Sequence, residues 1–172
     1  TIDIECESEN GFPKPENANE KINAITVDFN GWVYVFGLGE FHLPEKDKLK
    51  QFQFDTEEEL LESFISTWEL ESPDIVTGWN VRFFDIPYLI NRIGNVLDES
   101  SAKRLSPWKF LKERIIRKMN RENQTYEISG IATLDYYELY QTFTYVNQES
   151  YKLDHIAFVE LGEKKLSYDE YD

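Results

Sequence analysis

Cysteine and histidine are scarce in this chain of 172 residues, and so are positive charges. The single cysteine, Cys6, excludes an internal disulfide, and with only two histidines there is no Cys/His cluster that would indicate zinc. No apolar run reaches the roughly 20 residues of a membrane-spanning helix, and no signal-peptide pattern is present. We therefore expect a soluble, non-secreted protein of the cytoplasm with no membrane partner.

Acidic residues outnumber cationic ones by 33 to 18, which gives a formal net charge of −15. This excess argues against a general nucleic-acid-binding protein, because contacts to phosphate require cations. Two explanations still allow nucleic acid. Bound metal ions could neutralise the acids and themselves attract phosphate. Alternatively, the chain is one piece of a larger protein with its basic surface elsewhere, as its start on a strand and its acidic end at 168–172 suggest.

Hydrophobic residues make up 41% of the chain, including twelve Phe, ten Tyr and four Trp, which is enough for one well-packed domain. Alternating and buried-type patterns predict strands at 2–5, 22–29, 32–38, 50–54, 74–79 and 131–134, with a further hairpin centred on 120–123. Helical periodicity predicts helices from 56 to 72, from 85 to about 94, and over 136–142 and 151–159. Strands followed by strand–helix alternation predict an α/β fold, with a mixed central β-sheet flanked by helices in a single domain over 1–172.

Two helix starts carry local signals. The segment Thr56-Glu57-Glu58-Glu59 has the pattern of a capping box and places acids at the positive end of the helix dipole. Asp85-Ile86-Pro87 combines an acid at the cap position with a proline in the first turn. Capping alone would make Asp85 structural, but the end of a strand is also where α/β folds bind ligands.

Asp3 and Glu5 alternate with Ile2 and Ile4 at the start of the chain. Side chains two apart on a strand point the same way, so both carboxylates are expected on the face opposite the isoleucines. Adjacent like charges are a poor basis for a core, whereas hard divalent cations prefer oxygen ligands. The alternative is a strand end with two solvated acids.

Several segments together resemble family B replicative DNA polymerases, most closely the T-even bacteriophage branch. Asp3-Ile4-Glu5 resembles the first exonuclease motif of that family, and 73–80 with 84–88 resembles the second. The similarity continues in order through 102–107, 128–136 and 150–154. It implies a ribonuclease-H-like fold and a proofreading activity that removes nucleotides from the 3′ end of single-stranded DNA, in the host cell cytoplasm if the protein is viral.

The resemblance also implies site residues. Asp3 would bridge two Mg²⁺ or Mn²⁺ ions, Glu5 would bind one of them, and Asp85 would hold the other. Phe12 corresponds to an aromatic residue that wedges against the terminal bases, Asn80 would help to position the terminal nucleotide, and Lys152 would approach a phosphate or be a solvated helix lysine. The partners would be a single-stranded 3′ end and the remaining polymerase domains.

The third motif of the family, Tyr-x-x-x-Asp, is matched in spacing by Tyr168 and Asp172. We expect the true motif to lie beyond this sequence, since no apolar helix surrounds Asp172, so that the fragment would bind metal weakly or be inactive. His155 with Glu160 has the spacing that related exonucleases use, but a polar helix residue is the simpler interpretation. Asp135 is interpreted as a helix cap with Glu138.

Eight of the eighteen cations are clustered in one segment of the chain: Lys103, Arg104, Lys109, Lys112, Arg114, Arg117, Lys118 and Arg121. They could contact DNA, pair with the acidic remainder of the chain or with missing polymerase domains, or form local ion pairs on a solvated hairpin. The leading hypothesis is a proofreading exonuclease domain. The alternatives are a non-catalytic domain that organises a larger replication protein and an acidic mimic of nucleic acid.

Overall fold

The computed structural model describes residues 1–8, 11–118 and 121–164. They form two compact units, residues 1–136 and the residues from Tyr137 onward, and each is described here by itself. The single domain predicted over 1–172 stays a prediction.

The first unit contains a four-stranded sheet. Its strands are β1 (Ile2–Cys6), β2 (Ile22–Phe29), β3 (Trp32–Leu38) and β4 (Leu49–Phe54), in that spatial order. The pairs β1–β2 and β2–β3 are antiparallel, whereas β3 and β4 run parallel. The predicted hairpin is confirmed: Asn30 and Gly31 have φ angles of 53° and 83°, the positive values that a tight two-residue turn requires.

Two further strand pairs extend this unit. β5 (Ile75–Gly78) pairs in parallel with β8 (Ala132–Asp135), so the strands predicted at 74–79 and 131–134 are confirmed with small shifts. β5 also lies close to β1, since a Cβ on Gly78 would stand 2.5 Å from the Ile2 carbonyl oxygen. β6 (Leu111–Lys118) and β7 (Arg121–Ile128) form the predicted antiparallel hairpin, and residues 119–120 between them lie outside the described residues.

Helix α1 (Glu57–Glu71) packs against the sheet and follows its sequence signals closely. The Thr56 side chain accepts a hydrogen bond of 3.3 Å from the Glu59 backbone N–H, and Ser72 ends the helix in a left-handed conformation. The predicted apolar face is buried: Leu60, Leu61, Phe64, Ile65 and Trp68. Burying such a face is what stabilises an amphipathic helix against the sheet.

Helix α2 (Asp85–Val96) begins where predicted, but the capping interpretation of Asp85 is wrong. The N-cap residue is Phe84, no side chain caps this end, and the Asp85 carboxylate is directed at β1 instead. Helix α3 (Glu99–Lys103) was not predicted, because at five residues it is too short for a periodic signal. It is capped by Asp98, which accepts a hydrogen bond of 2.8 Å from the Ser101 N–H.

Helix α4 (Tyr136–Phe143) starts at the boundary of the two units, and α5 (Leu153–Leu161) belongs to the second. Both predicted helices are confirmed, although α5 begins and ends two residues later than predicted, with Gly162 ending it in a left-handed conformation. Edge-on contacts of Tyr151 with Tyr137 and Tyr140 join the two segments. The predicted mixed α/β architecture is thus confirmed. Within the described residues no helix combines the length and the apolar character needed to cross a bilayer.

Candidate active site

The two acids of β1 lie as the alternation predicted. Ile2 and Ile4 are buried in the core, whereas Asp3 and Glu5 are exposed on the opposite face. The pairing of β1 with β2 shifts between Glu5 and Cys6, which marks a β-bulge at the end of the acidic stretch. Bulges re-aim the side chains around them and are frequent beside active sites. The strand therefore presents two carboxylates on one accessible face.

Asp85 reaches this strand from the start of α2. Its carboxylate oxygen Oδ1 accepts a hydrogen bond of 3.1 Å from the backbone N–H of Ile4, the residue between Asp3 and Glu5. Asp85 is 81 positions away in the sequence and is only 3% exposed. Its side chain thus points into the protein toward β1 and not into bulk solvent.

The environment of Asp85 disfavours its charged form. Burial raises the pKa of this carboxyl above its ordinary 3.8, the charges of Asp3 and Asp135 add to the shift, and the pKa reaches about 7. The hydrogen bond from Ile4 opposes the shift. A buried carboxylate that faces a second carboxylate is electrostatically unstable without a cation, and strong perturbation of this kind is frequent at functional sites.

Cys6 lies beside the same acids. Burial raises the pKa of its thiol to about 12, with a hydrogen bond to Tyr88 and the charges of Asp85 and Glu5 as further influences. The thiol stays protonated at neutral pH, so Cys6 is not a nucleophile. The carboxylates of Asp85 and Glu5 are both close enough to Cys6 to contribute to this shift.

The turn before Asp85 is held by Asp135, the last residue of β8. Its carboxylate accepts hydrogen bonds of 3.0 Å each from the backbone N–H groups of Asn80 and Arg82. Asn80 has a φ of 64°, a left-handed conformation that asparagine tolerates. Its carbonyl accepts from the N–H groups of Phe83 and Phe84. Asp135 thus has a structural role in this turn, whereas the capping box predicted for it with Glu138 stays a prediction.

Phe12 stands on the loop between β1 and β2 and is 80% exposed. Its ring centroid lies 5.5 Å from that of Phe84, the residue before Asp85. Phe84 in turn contacts Tyr88 at 5.6 Å on the same helix. An exposed aromatic ring is thereby fixed next to the segment that carries the buried carboxylate. Phe84 was not among the residues predicted from the sequence.

The donor chemistry of this region suits a hard divalent cation. Asp3 and Asp85 are electrostatically coupled carboxylates, and Glu5 shares the face of Asp3. Carboxylate oxygens are the ligands that Mg²⁺ and Mn²⁺ prefer, and a cation would remove the repulsion that raises the pKa of Asp85. Among the residues that the structure describes, no group of three or more His, Cys, Asp or Glu side chains is arranged to hold a metal ion.

The remaining predicted residues belong to the second unit or lie outside the described residues. Lys152 is exposed at the N-cap of α5 in the second unit, where its contact with a phosphate stays a prediction. His155 is half-buried on α5, and Glu160 accepts a hydrogen bond of 2.6 Å from Tyr140. Asp172, with the third-motif match at Tyr168, lies outside the described residues.

Five cations of the basic segment form ion pairs close by: Lys103 with Glu99, Arg104 with Glu62 and Glu69, Lys109 with Glu69, Arg114 with Glu127, and Arg117 with Glu122. Hydrogen bonds from Arg104 and Lys109 lower the pKa of Glu69 to about 2. Local ion pairs on the hairpin are therefore confirmed for Arg114 and Arg117. Arg104 and Lys109 instead pair with acids of α1, elsewhere in the acidic chain.

Comparison with known proteins agrees with this geometry. The family described as DNA polymerase family B, exonuclease domain, matches residues 1–156. The DNA-directed DNA polymerase of Escherichia phage RB69 is 39% identical over 98% of this chain and 22% of its own length, and that of Enterobacteria phage T4 is 34% identical over 92% and 20%. The DNA polymerase catalytic subunit of Human herpesvirus 6A (strain Uganda-1102) is 32% identical over 99% and 18%.

The chain thus spans about a fifth of the length of these relatives. The family match covers β1 with its two acids, the turn with Asp85, and the strands and helices that hold them. Because the match extends over most of the sequence, the chain belongs to the family of exonuclease domains of family B DNA polymerases, with their ribonuclease-H-like fold.

Proposed function

We propose that this chain is the proofreading 3′–5′ exonuclease domain of a DNA-directed DNA polymerase and hydrolyses the terminal nucleotide of single-stranded DNA. The observation that carries the proposal is the position of Asp85, which is buried and hydrogen-bonded to the backbone between Asp3 and Glu5. Family membership supports the same activity. The other polymerase domains are the expected partners.

Asp3, Glu5 and Asp85 are the residues that would hold two Mg²⁺ or Mn²⁺ ions. When bound, such a pair of ions lowers the pKa of an attacking water and stabilises the leaving oxygen of an in-line displacement. The protein contributes the fixed oxygen donors. Because Asp85 has a pKa of about 7, its carboxyl carries a proton through part of the neutral range and must lose it before it can serve as a ligand.

Phe12 and Asn80 would act on the nucleic acid itself. The exposed ring of Phe12 offers a stacking surface for a terminal base, and stacking accepts any base because every base has a π-face. Selection for errors then needs no base reading, since a mismatched end frays and reaches a single-strand site more often. Lys152 would add a phosphate contact.

A non-catalytic domain of a larger replication protein is the second candidate. It is favoured by one observation, namely that no three-ligand group exists in the described ranges 1–8, 11–118 and 121–164. The two candidates differ in chemistry, because only the exonuclease needs Asp3 and Asp85 as metal ligands.

The test is digestion of single-stranded DNA labelled at its 5′ end, in Mn²⁺, by a longer chain that includes the downstream segment of the relatives. We expect a ladder of products shortened from the 3′ end, and its loss in Asp3→Asn. Asp47→Asn is the matched control, since it removes the same charge from an exposed loop. An undigested substrate would favour the non-catalytic candidate.

A further inference from the structure

The loop that carries Phe12 is fastened along one face of α2. Four side chains of this helix donate hydrogen bonds to backbone carbonyls of residues 15–20: Tyr88, Asn91, Arg92 and Asn95. Their spacing of three, four and seven residues places them on one helical face, which we call the donor face of α2. A loop without a ladder of its own thereby has several of its carbonyls satisfied.

Tyr88 and Asn95, the outer members of the donor face, bind the loop at opposite ends of the helix. The Tyr88 hydroxyl donates to the Glu20 carbonyl at 2.7 Å, where the loop returns to the sheet. The Asn95 amide donates to the carbonyls of Asn17 at 2.9 Å and Ala18 at 3.3 Å, at the far end of the helix. Phe12 meets α2 at its beginning, through Phe84, so the loop runs out along the helix and back.

Arg92 ties the loop to α1 as well. Its guanidinium donates to the carbonyls of Ala18 and Asn19 at 3.1 and 2.7 Å. The same group binds both carboxylate oxygens of Glu57 at 2.8 and 2.6 Å, and Glu57 also accepts from the Ile22 N–H. Glu57 is buried and the Arg92 side chain is only 12% exposed, so this charge-assisted pair holds the part of the loop at Ala18 and Asn19 against both helices.

Asn91 has a different set of partners, because it joins the loop to the β6–β7 hairpin. Its amide nitrogen donates to the Pro15 carbonyl and to the Gln124 side chain, at 2.8 Å each. Its side-chain oxygen accepts from the Tyr126 hydroxyl at 2.7 Å. Gln124 is held in turn by Tyr126 and by Glu113 of the facing strand. Asn91 thus links three segments with one amide group.

We propose that Asn91 is a positioning residue that sets the place of the Phe12 ring relative to Asp85. Pro15 is three residues from Phe12, and Asp85 begins the helix that carries Asn91, so the amide fixes the distance between the stacking ring and the buried carboxylate. The hairpin strand β7 supports the amide through the side chains of Gln124 and Tyr126. Only the role of the ring in stacking on a base rests on the proposed function; the positioning of the ring by Asn91 does not depend on it.

The test follows the ring directly. The chain is prepared with 4-fluorophenylalanine at all twelve phenylalanines, and the ¹⁹F signal of Phe12 is identified by its loss in Phe12→Leu. In Asn91→Ala we expect the Phe12 signal to shift toward that of the free amino acid and to narrow, while the signal of the fully buried Phe64 stays in place. Gln124→Ala, which removes a β7 side chain that accepts from the Asn91 amide and adds no phenylalanine, should shift the Phe12 signal in the same direction by a smaller amount.

An unchanged Phe12 signal in a folded Asn91→Ala variant overturns the proposal, and so does a shift of all signals together. If Asn91→Ala does not fold, the Gln124→Ala spectrum decides: a Phe12 signal that moves alone supports the positioning, and one that stays overturns it.

Binding of a short fluorescent oligothymidylate, measured in Ca²⁺, separates this inference from the proposed function. Phe12→Ala and Asn91→Ala should each lose at least about fivefold in affinity, and the double variant no more than either. If Phe12→Ala leaves the affinity unchanged, the nucleic-acid role of Phe12 is wrong, while the ¹⁹F comparison still decides whether Asn91 positions the ring.

Discussion

The Asp85 side chain combines three properties: it is buried, it accepts a backbone hydrogen bond, and it has a carboxylate as a neighbour. Burying a charge without a partner is expensive, so a side chain of this kind indicates either a neutral acid or a cation beside it. The local sequence could not distinguish a buried site carboxylate from a helix cap, because an aspartate before Ile-Pro fits either role. The contact with Ile4 that decides it joins residues far apart in the chain.

The raised pKa of Asp85 predicts how stability depends on pH without metal. Since the folded-state pKa of about 7 exceeds the ordinary 3.8, the folded protein binds more protons than the unfolded chain between these values. The free energy of unfolding should therefore fall as pH rises from about 4 to about 7, by up to about 1.4 kcal/mol per pH unit from this group. Urea denaturation of Asp85→Asn should lack this component. Parallel pH profiles for the variant and the wild type would refute the assignment.

The hydrogen bonds of Asp135 to the turn before Asp85 predict that removing its side chain destabilises the protein. In Asp135→Ala the backbone N–H groups of Asn80 and Arg82 lose their acceptor, which should cost about 2–4 kcal/mol of unfolding free energy. Asp47→Ala, at an exposed loop position, should change it by less than about 0.5 kcal/mol. Equal denaturation midpoints for the two variants would show that Asp135 does not hold the turn.

At the scale of elements, the sequence was most informative where the signals are local. The cap and apolar face of α1, and the Asn30-Gly31 turn, depend on neighbouring residues and were predicted correctly. The pairing of β5 with β8 and the donor face of α2 depend on segments distant in sequence. The spacing of Tyr88, Asn91 and Asn95 is that of one helical face, but no neighbouring residue indicates that a loop packs against that face.

The ion pair of Glu57 with Arg92 joins α1, α2 and the Phe12 loop, and it predicts an element-scale effect. In Glu57→Ala the guanidinium stays buried without its partner, which should cost about 3–5 kcal/mol of unfolding free energy. The control is Glu99→Ala in the exposed pair with Lys103 on α3, where the cost should be under about 0.5 kcal/mol. Chemical denaturation of both variants measures the difference. Similar losses would contradict a stabilising role of the Glu57–Arg92 ion pair.

At the scale of the whole molecule, the excess of acids has a definite arrangement. In the described part of the chain, many cations are used in ion pairs with nearby acids, while Asp3 and Glu5 remain exposed on one face. The net charge of −15 therefore does not oppose nucleic-acid chemistry if cations occupy that face. Family and fold were accessible from the sequence because the motifs occur in order. The electrostatic coupling of Asp3 with Asp85 required the structure.

The central claim is that the carboxylates of Asp3 and Asp85 share a divalent cation. Calorimetric titration of the chain with Mn²⁺ at pH 8, where Asp85 is ionised, tests it most directly. We predict saturable heat of binding in the wild type and in Asp47→Asn, and its loss in both Asp3→Asn and Asp85→Asn. Mn²⁺ uptake that is undiminished in either of these two variants, or absent from the wild type, would contradict the account.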